Sequence, residues 1–259
     1  YKKIWMKDKN MSPLRYYTEM QSIKLDKKIG NEKLLVDYAM RYGQPSIRSK
    51  IADLKDKGCE NLVVLPLYPQ YAAATTATVC DEVYRSLSNM RWQPSLQIIP
   101  HYESDPLYIK AISNSIEQKL KQINWKPDLI MASYHGIPKK YFEKGDPYHC
   151  YCVKTTRLLS EKFKRIPITT TFQSRFGPQE WLQPYTDKTL ESLPKEGKKN
   201  ILVICPGFSS DCVETLEEIS IQGKDSFLKS GGINFDTVPC LNDNVDQINL
   251  LKHLVSRYL

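Results

Sequence analysis

Residues 199–231 read KNILVICPGFSSDCVETLEEISIQGKDSFLKSG. The run ILVIC has no polar interruption, which fits a strand buried on both faces of a parallel sheet. Pro206 and Gly207 end it, and a helical pattern over 211–231 follows. The same grammar extends in both directions. Strands are predicted at 34–43, 61–69, 96–102, 128–133, 168–174 and 234–241. Helices are predicted at 14–29 (amphipathic), 45–58, 76–90, 105–123, 148–163, 186–197 and 244–259. Such alternation defines an α/β protein with two doubly wound, Rossmann-like parallel sheets. The long helix at 105–123 is the natural crossover. The expected division is 1–105, 106–238, and a closing segment 239–259 that returns to the first domain.

The chain of 259 residues carries 37 Lys and Arg against 29 Asp and Glu, a net charge of +8. This permits an anionic small ligand or an anionic membrane surface. No basic run interleaves with aromatics, so nucleic acid is not an expected partner. No stretch has the length of a membrane span and no secretory signal is evident. Seven cysteines at irregular spacings read as reduced thiols in the cytoplasm. Cys150 and Cys152 form a C-x-C pair, too few ligands for a structural metal site. Neither phosphate-binding glycine pattern follows any strand, so a nucleotide is not indicated.

Ligands of open parallel sheets bind beyond the carboxyl ends of the strands. Four unusual stretches fall there: LYPQYAAATT, SYHGIP, FQSRFGPQEWLQPYTD and PGFSSDCVETLEEI. His135 follows a strand and precedes Gly136, placing an imidazole able to take a proton near neutral pH. Asp211 reads as a helix cap. Glu214 and Glu218 share a helix face four residues apart, where a bound cation or a proton would relieve their repulsion. Tyr68, Tyr71, Tyr134, Phe172, Phe176, Trp181 and Phe208 all lie at these strand ends. Each alone fits core packing; together they fit a large flat apolar ligand.

With these segments in order, LPLYPQYAAATT, SYHGIPKKYFEKGDPY, TFQSRFGPQEWLQPYTD and CPGFSSDCVETLEEI, the chain resembles the ferrochelatases, in particular their proteobacterial form. The resemblance covers essentially the whole chain. It implies a chelatase-like fold and insertion of ferrous iron into protoporphyrin IX, with release of two protons, to give protoheme. It assigns catalysis to His135 and Glu214, and metal contact to His135, Glu214 and Glu218. Ser12, Arg41, Tyr68, Gln173, Ser174, Trp181 and Phe208 fall at substrate-binding positions. Iron is then a substrate; no prosthetic group is expected. Peripheral contact with the cytoplasmic membrane is implied, and the oligomeric state is left open. The family's opening strand, its L-G-T-P segment and the apolar lip after it have no counterpart, so a truncated N-terminus is expected. A cluster cysteine of animal members falls at Ala73 and no C-terminal cysteine trio is present, so no iron–sulfur cluster is expected. Cys212 stands where many members carry histidine. Two alternatives remain at this level. One is a chelatase for coproporphyrin or another tetrapyrrole; the other is a two-lobed binding protein without catalysis.

Overall fold

The computed structural model describes residues 2–259. In chain order, helices α1 (Pro13–Ile29) and α2 (Ile47–Asp56) precede strand β1 (Asn61–Val64). A π-helical turn (Ala73–Ala77) leads into α3 (Thr78–Ser88), followed by β2 (Ser95–Ile98) and α4 (Pro106–Gln122). Then come β3 (Leu129–His135), α5 (Lys139–Glu143), α6 (Tyr148–Lys162), β4 (Ile168–Gln173), α7 (Thr186–Ser192) and β5 (Asn200–Ile204). A π-helix (Glu214–Gly223) runs into α8 (Lys224–Lys229), and β6 (Asn234–Thr237) and α9 (Val245–Val255) close the chain. Side-chain oxygens of Ser12, Ser46, Asp105 and Asn244 cap α1, α2, α4 and α9.

All ladders are parallel. β1 and β2 form one sheet; the other has the order β4-β3-β5-β6. Connections leave β3 toward one edge and β5 toward the other, so the strand order reverses between them. Beyond the carboxyl ends of β3 and β5 lies the crevice where such sheets bind ligands.

The packing follows from alternation along the central strands. Ile130, Ala132 and Tyr134 of β3 enter a cluster with Tyr108, Ile112 and Ile116 of α4, Leu159 of α6 and Leu250 of α9. Leu129 and Met131 point the other way, onto Leu190, Ile219, Phe227 and Phe235. Met131 has no solvent exposure, so truncating it to alanine costs about 2–5 kcal/mol. Helices therefore cover both faces, as the unbroken apolar run predicted. The smaller sheet packs Leu62 against Ile47, Ile51, Val79 and Val83. Leu65 and Leu67 pack with Leu25 of α1 and Ile248 and Leu251 of α9, so the closing helix lies against α1.

Three expectations are corrected. Segment 34–43 is not a strand; it makes only isolated bridges, Asn31 with Leu34 and Met40 with Ser46. Val36 and Ala39 pack on the core, but β1 pairs only with β2 among the described residues, and a strand without a ladder partner does not form. Helix α1 has no apolar stripe: it buries Thr18 and Gln21 beside Leu25. The helix predicted over 211–231 is π-helical over Glu214–Gly223; widening of this kind frequently marks functional sites.

Candidate functional site

His135 is the last residue of β3 rather than a loop residue. Its Nδ1 lies 2.6 Å from the main-chain carbonyl of Gly136. A carbonyl only accepts, so Nδ1 carries the hydrogen and Nε2 of the neutral ring holds a free lone pair. Gly136 is required by close packing. A Cβ there would stand 3.0 Å from the Gln173 carbonyl and 3.1 Å from Cε3 of Trp181. Trp181 is laid over the strand end by antiparallel pairing of 180–182 with 137–139, through Lys139 N–H to Glu180 O at 2.9 Å and Leu182 N–H to Ile137 O at 3.0 Å. Its indole N–H donates to Phe176 O at 3.0 Å, and the rings of Phe176 and Trp181 are 5.2 Å apart. Phe176 itself is 76% exposed.

Glu214 opens the π-helix, with Glu217 also in its first turn. The Glu218 carboxylate accepts from Ser174 Oγ at 2.5 Å. Ser174 holds φ at 63°, a conformation that costs a non-glycine residue energy and that clusters at functional sites. Burial pushes the Glu218 carboxyl up; the Ser174 hydrogen bond opposes that, Glu214 adds to it, and His135 counters it. Ser174, Glu214 and His135 thus all act on the Glu218 carboxylate. Gln173 is buried, and its amide donates to Glu214 O at 2.8 Å.

From the smaller sheet, Tyr68 faces the same group. Burial raises its hydroxyl, with further contributions from Tyr42, Cys212 and Glu214 and an opposing one from Arg41. Arg41 donates from Nε to Thr78 O at 2.7 Å and lies 4.6 Å over the Tyr42 ring. Phe208 packs half-buried against the second core cluster. Ser12 lies elsewhere in its bonding: its Oγ caps α1, accepting from Arg15 N–H at 3.3 Å.

Tyr134 and Phe172 do not line a ligand surface. They are 0% and 2% exposed within the main cluster, because alternation turns them away from the face that His135 presents. Asp211 is not a cap. Its carboxylate accepts from Thr215 Oγ at 2.9 Å, Cys240 N–H at 3.3 Å and Asn242 Nδ2 at 2.7 Å, locking the helix start to the segment after β6. Nothing in the local pattern announces that long-range clamp. Burial, with Glu214 beside it, pushes the Cys212 thiol up, so it remains neutral. Among the described residues, no three His, Cys, Asp or Glu side chains converge as a closed metal site. Cavities of about 470 Å³ between α1 and 36–50, and about 270 Å³ along 99–106 and the end of α9, are lined by none of these residues.

The fold is that of chelatases. SirB from Bacillus subtilis with Fe3+ superposes with a TM-score of 0.66, covering 95% of this chain and 91% of that one at 14% identity. The sirohydrochlorin chelatase SirB of Bacillus subtilis subspecies spizizenii in complex with cobalt gives 0.68, covering 94% and 88% at 11% identity. The particular family follows from sequence: the Ferrochelatase family model matches residues 1–259, and the chain belongs to that family. It is 55% identical to the ferrochelatase of Rhizobium meliloti (strain 1021), over 100% of this chain and 77% of the relative. It is 50% identical to that of Francisella tularensis subsp. novicida (strain U112), over 99% and 77%.

Proposed function

We propose that the protein inserts ferrous iron into protoporphyrin IX, with His135 taking protons from the pyrrole nitrogens. Ferrochelatases are lyases that place a metal ion in a porphyrin, and two protons must leave the ring for each divalent ion that enters. The observation that carries the assignment is the commitment of His135 Nδ1 to the Gly136 carbonyl. It leaves Nε2 as the base at the strand end, where the crevice opens. Glu214 and Glu218 form the opposite side, exchanging metal or protons. Glu218, pushed up by burial and by Glu214, is suited to hold a proton for part of the cycle.

Tyr68 and Phe208, both half-buried, offer apolar area to the macrocycle; Trp181, 6% exposed, braces the strand end under it, while Arg41 and Ser174 are the polar groups for its periphery. Binding energy from these contacts supports distortion of the ring, which exposes nitrogen lone pairs hidden in a planar macrocycle. The seven thiols serve no iron–sulfur cluster in this reading; Cys152, Cys205, Cys212 and Cys240 are buried, and burial keeps each protonated. Analysis for iron and acid-labile sulfide near two each per chain would overturn that part.

Among the described residues, no helix is long and apolar enough to cross a membrane. Peripheral attachment at the cytoplasmic face, helped by the net charge of +8, is the proposed location, tested by flotation with anionic liposomes at low salt. The catalytic assignment is tested by anaerobic ferrous insertion into protoporphyrin. His135→Ala and Glu214→Gln should lose most of the rate while keeping their melting temperatures and porphyrin affinity. A His135→Ala enzyme inserting iron at near wild-type rate sinks the mechanism.

A further inference from the structure

Gln173 ends β4 directly opposite His135, its register partner on β3. It is 5% exposed, and three of its polar atoms are engaged by the protein. Its main-chain carbonyl accepts Gly136 N–H at 2.8 Å. Its side-chain carbonyl accepts from Ser133 Oγ at 2.6 Å. Ser133 Oγ is 2.8 Å from Thr186 Oγ1, which is bonded in turn to Thr171 Oγ1 at 2.9 Å. The side-chain amide donates to the main-chain carbonyl of Glu214 at 2.8 Å. That carbonyl can only accept, so the nitrogen of the amide must face the π-helix and its oxygen must face Ser133. The start of the π-helix has no side-chain cap of its own from the N-cap residue Val213.

We infer that Gln173 is a positioning residue for metal insertion. Through one buried side chain it fixes the carboxylate-bearing helix against the strand that ends in His135. The main-chain bond to Gly136 holds the carbonyl that orients the imidazole; the amide bond holds the first residue of the acid row. Gln173 therefore sets the span between base and acids, and does so from beneath the crevice rather than by touching the macrocycle. Groups that orient reacting residues in this way are worth about 10–100-fold in activity when removed, because an error of an ångström in placement is enough to lose the productive geometry. The inference rests on the proposed roles of His135 and Glu214.

The test is steady-state insertion with porphyrin and ferrous iron varied in turn, alongside porphyrin affinity by fluorescence quenching and thermal melts. Gln173→Met removes the side-chain bonds to Ser133, Cys205 and Glu214 at similar volume. Gln173→Asn keeps the neutral amide one methylene short, so that it cannot span Ser133 and Glu214 at once and adds no charge; it is the variant to read if the first does not fold. Both should lower kcat about 10–100-fold and leave KM and affinity for porphyrin within about twofold. A large rise in porphyrin KM with kcat retained would make Gln173 a substrate contact and overturn the inference. A lower melting temperature with kcat per folded molecule unchanged would make it a packing residue and overturn the inference equally. His135→Ala and Glu214→Gln are run in the same assay. If they keep activity, the site reading falls and the role of Gln173 with it. If they lose it while both Gln173 variants keep kcat, only this inference falls.

Discussion

The two sheets end in the same way and do different things there. Beyond β1 the chain passes through 65–72 into the π-turn Ala73–Ala77; beyond β5 it passes through 205–213 into the π-helix Glu214–Gly223. Both loops are pinned by buried polar side chains. Gln70 donates to Thr155 Oγ1 at 3.0 Å, and Asp146 accepts Ala73 N–H at 2.8 Å. Asp211 and Gln173 hold the second loop and its helix. Yet the first π-turn reads AATTA, without an ionisable group, and the second begins ETLEE. The carboxylates nearby differ in the same sense. Glu103, just beyond β2, meets His101 Nδ1 at 2.6 Å, Lys154 Nζ at 2.9 Å and Ser104 Oγ at 3.1 Å. Burial raises its carboxyl, but the hydrogen bonds from His101 and Lys154 outweigh burial and hold it below the usual range. Glu218 has Ser174 as its hydrogen-bond donor, and its carboxyl is held above the usual range. A fully paired acid is structural; an acid left short of partners opposite an imidazole is available for chemistry. The wide backbone turn is therefore common to both ends, which differ in the acids that one of them carries; the proposed chemistry is assigned to those acids.

The largest effect that could break this contrast is on the rate. His135→Ala and Glu214→Gln should each cost about 100- to 10,000-fold in insertion, whereas Glu103→Gln should leave the rate per folded molecule unchanged. The second effect is on stability and runs the other way. Losing the charged acceptor shared by His101 and Lys154 should cost about 1.5–3 kcal/mol, read as a lower melting temperature at neutral pH. The pH dependence fixes the sign. Glu103 has its folded pKa depressed, so its contribution is full above the unfolded carboxylate value and lost as pH falls through the folded one. Glu103→Gln should therefore flatten the loss of stability below about pH 4.5. Glu218 has its folded pKa raised, so its charged form is a burden at neutral pH that is relieved as pH falls through that value. Glu218→Gln should raise the melting temperature at neutral pH while lowering the insertion rate less than Glu214→Gln does. A Glu218→Gln protein less stable than wild type at neutral pH would make that acid structural, like Glu103.

How far the sequence foretold this depends on range. Apolar runs located the two central strands, β3 and β5, because burial on both faces leaves a signal within five to seven residues; the edge strands β4 and β6 carry Thr, Asn and Asp and followed from the alternation with helices. The run at 34–43 gave the same signal and is not a strand; apolarity reports burial, not the presence of a ladder partner. The places of His135 and Glu214 were legible, one at a strand end and one at a helix start; their catalytic roles are the proposal made above. The π geometry was not, since only Leu216, Ile219 and Ile221 are apolar between 214 and 223, too few to tell i+5 from i+4 bonding. The clamps were not legible either. Asp211 to Asn242 and Gln173 to Glu214 join residues 31 and 41 positions apart, and nothing local marks a polar side chain that finds its partner only in the fold. Tyr134 and Phe172 show the converse error, aromatic residues near the site in sequence that alternation turned into the core.

The smallest effect sharpens the comparison from the silent side. If the first π-turn is scaffold alone, a substitution that spares its backbone should be nearly invisible. Thr75 is suited to the test. Its hydroxyl reaches Ala72 O at 3.4 Å, a weak contact, whereas its main-chain carbonyl accepts from Thr78 Oγ at 2.8 Å and is untouched by a side-chain change. Alanine is a better helix former than threonine, which offsets part of what the lost hydroxyl contributed. Thr75→Ala should therefore shift stability by no more than about 0.5 kcal/mol, with kcat and KM unchanged. The neighbouring Thr78 carbonyl accepts from Arg41, so the turn is not far from a proposed substrate contact. A Thr75→Ala enzyme with normal melting temperature but a clearly altered porphyrin KM would show the first π-turn shaping the site, and the division between scaffold and chemistry would have to be redrawn.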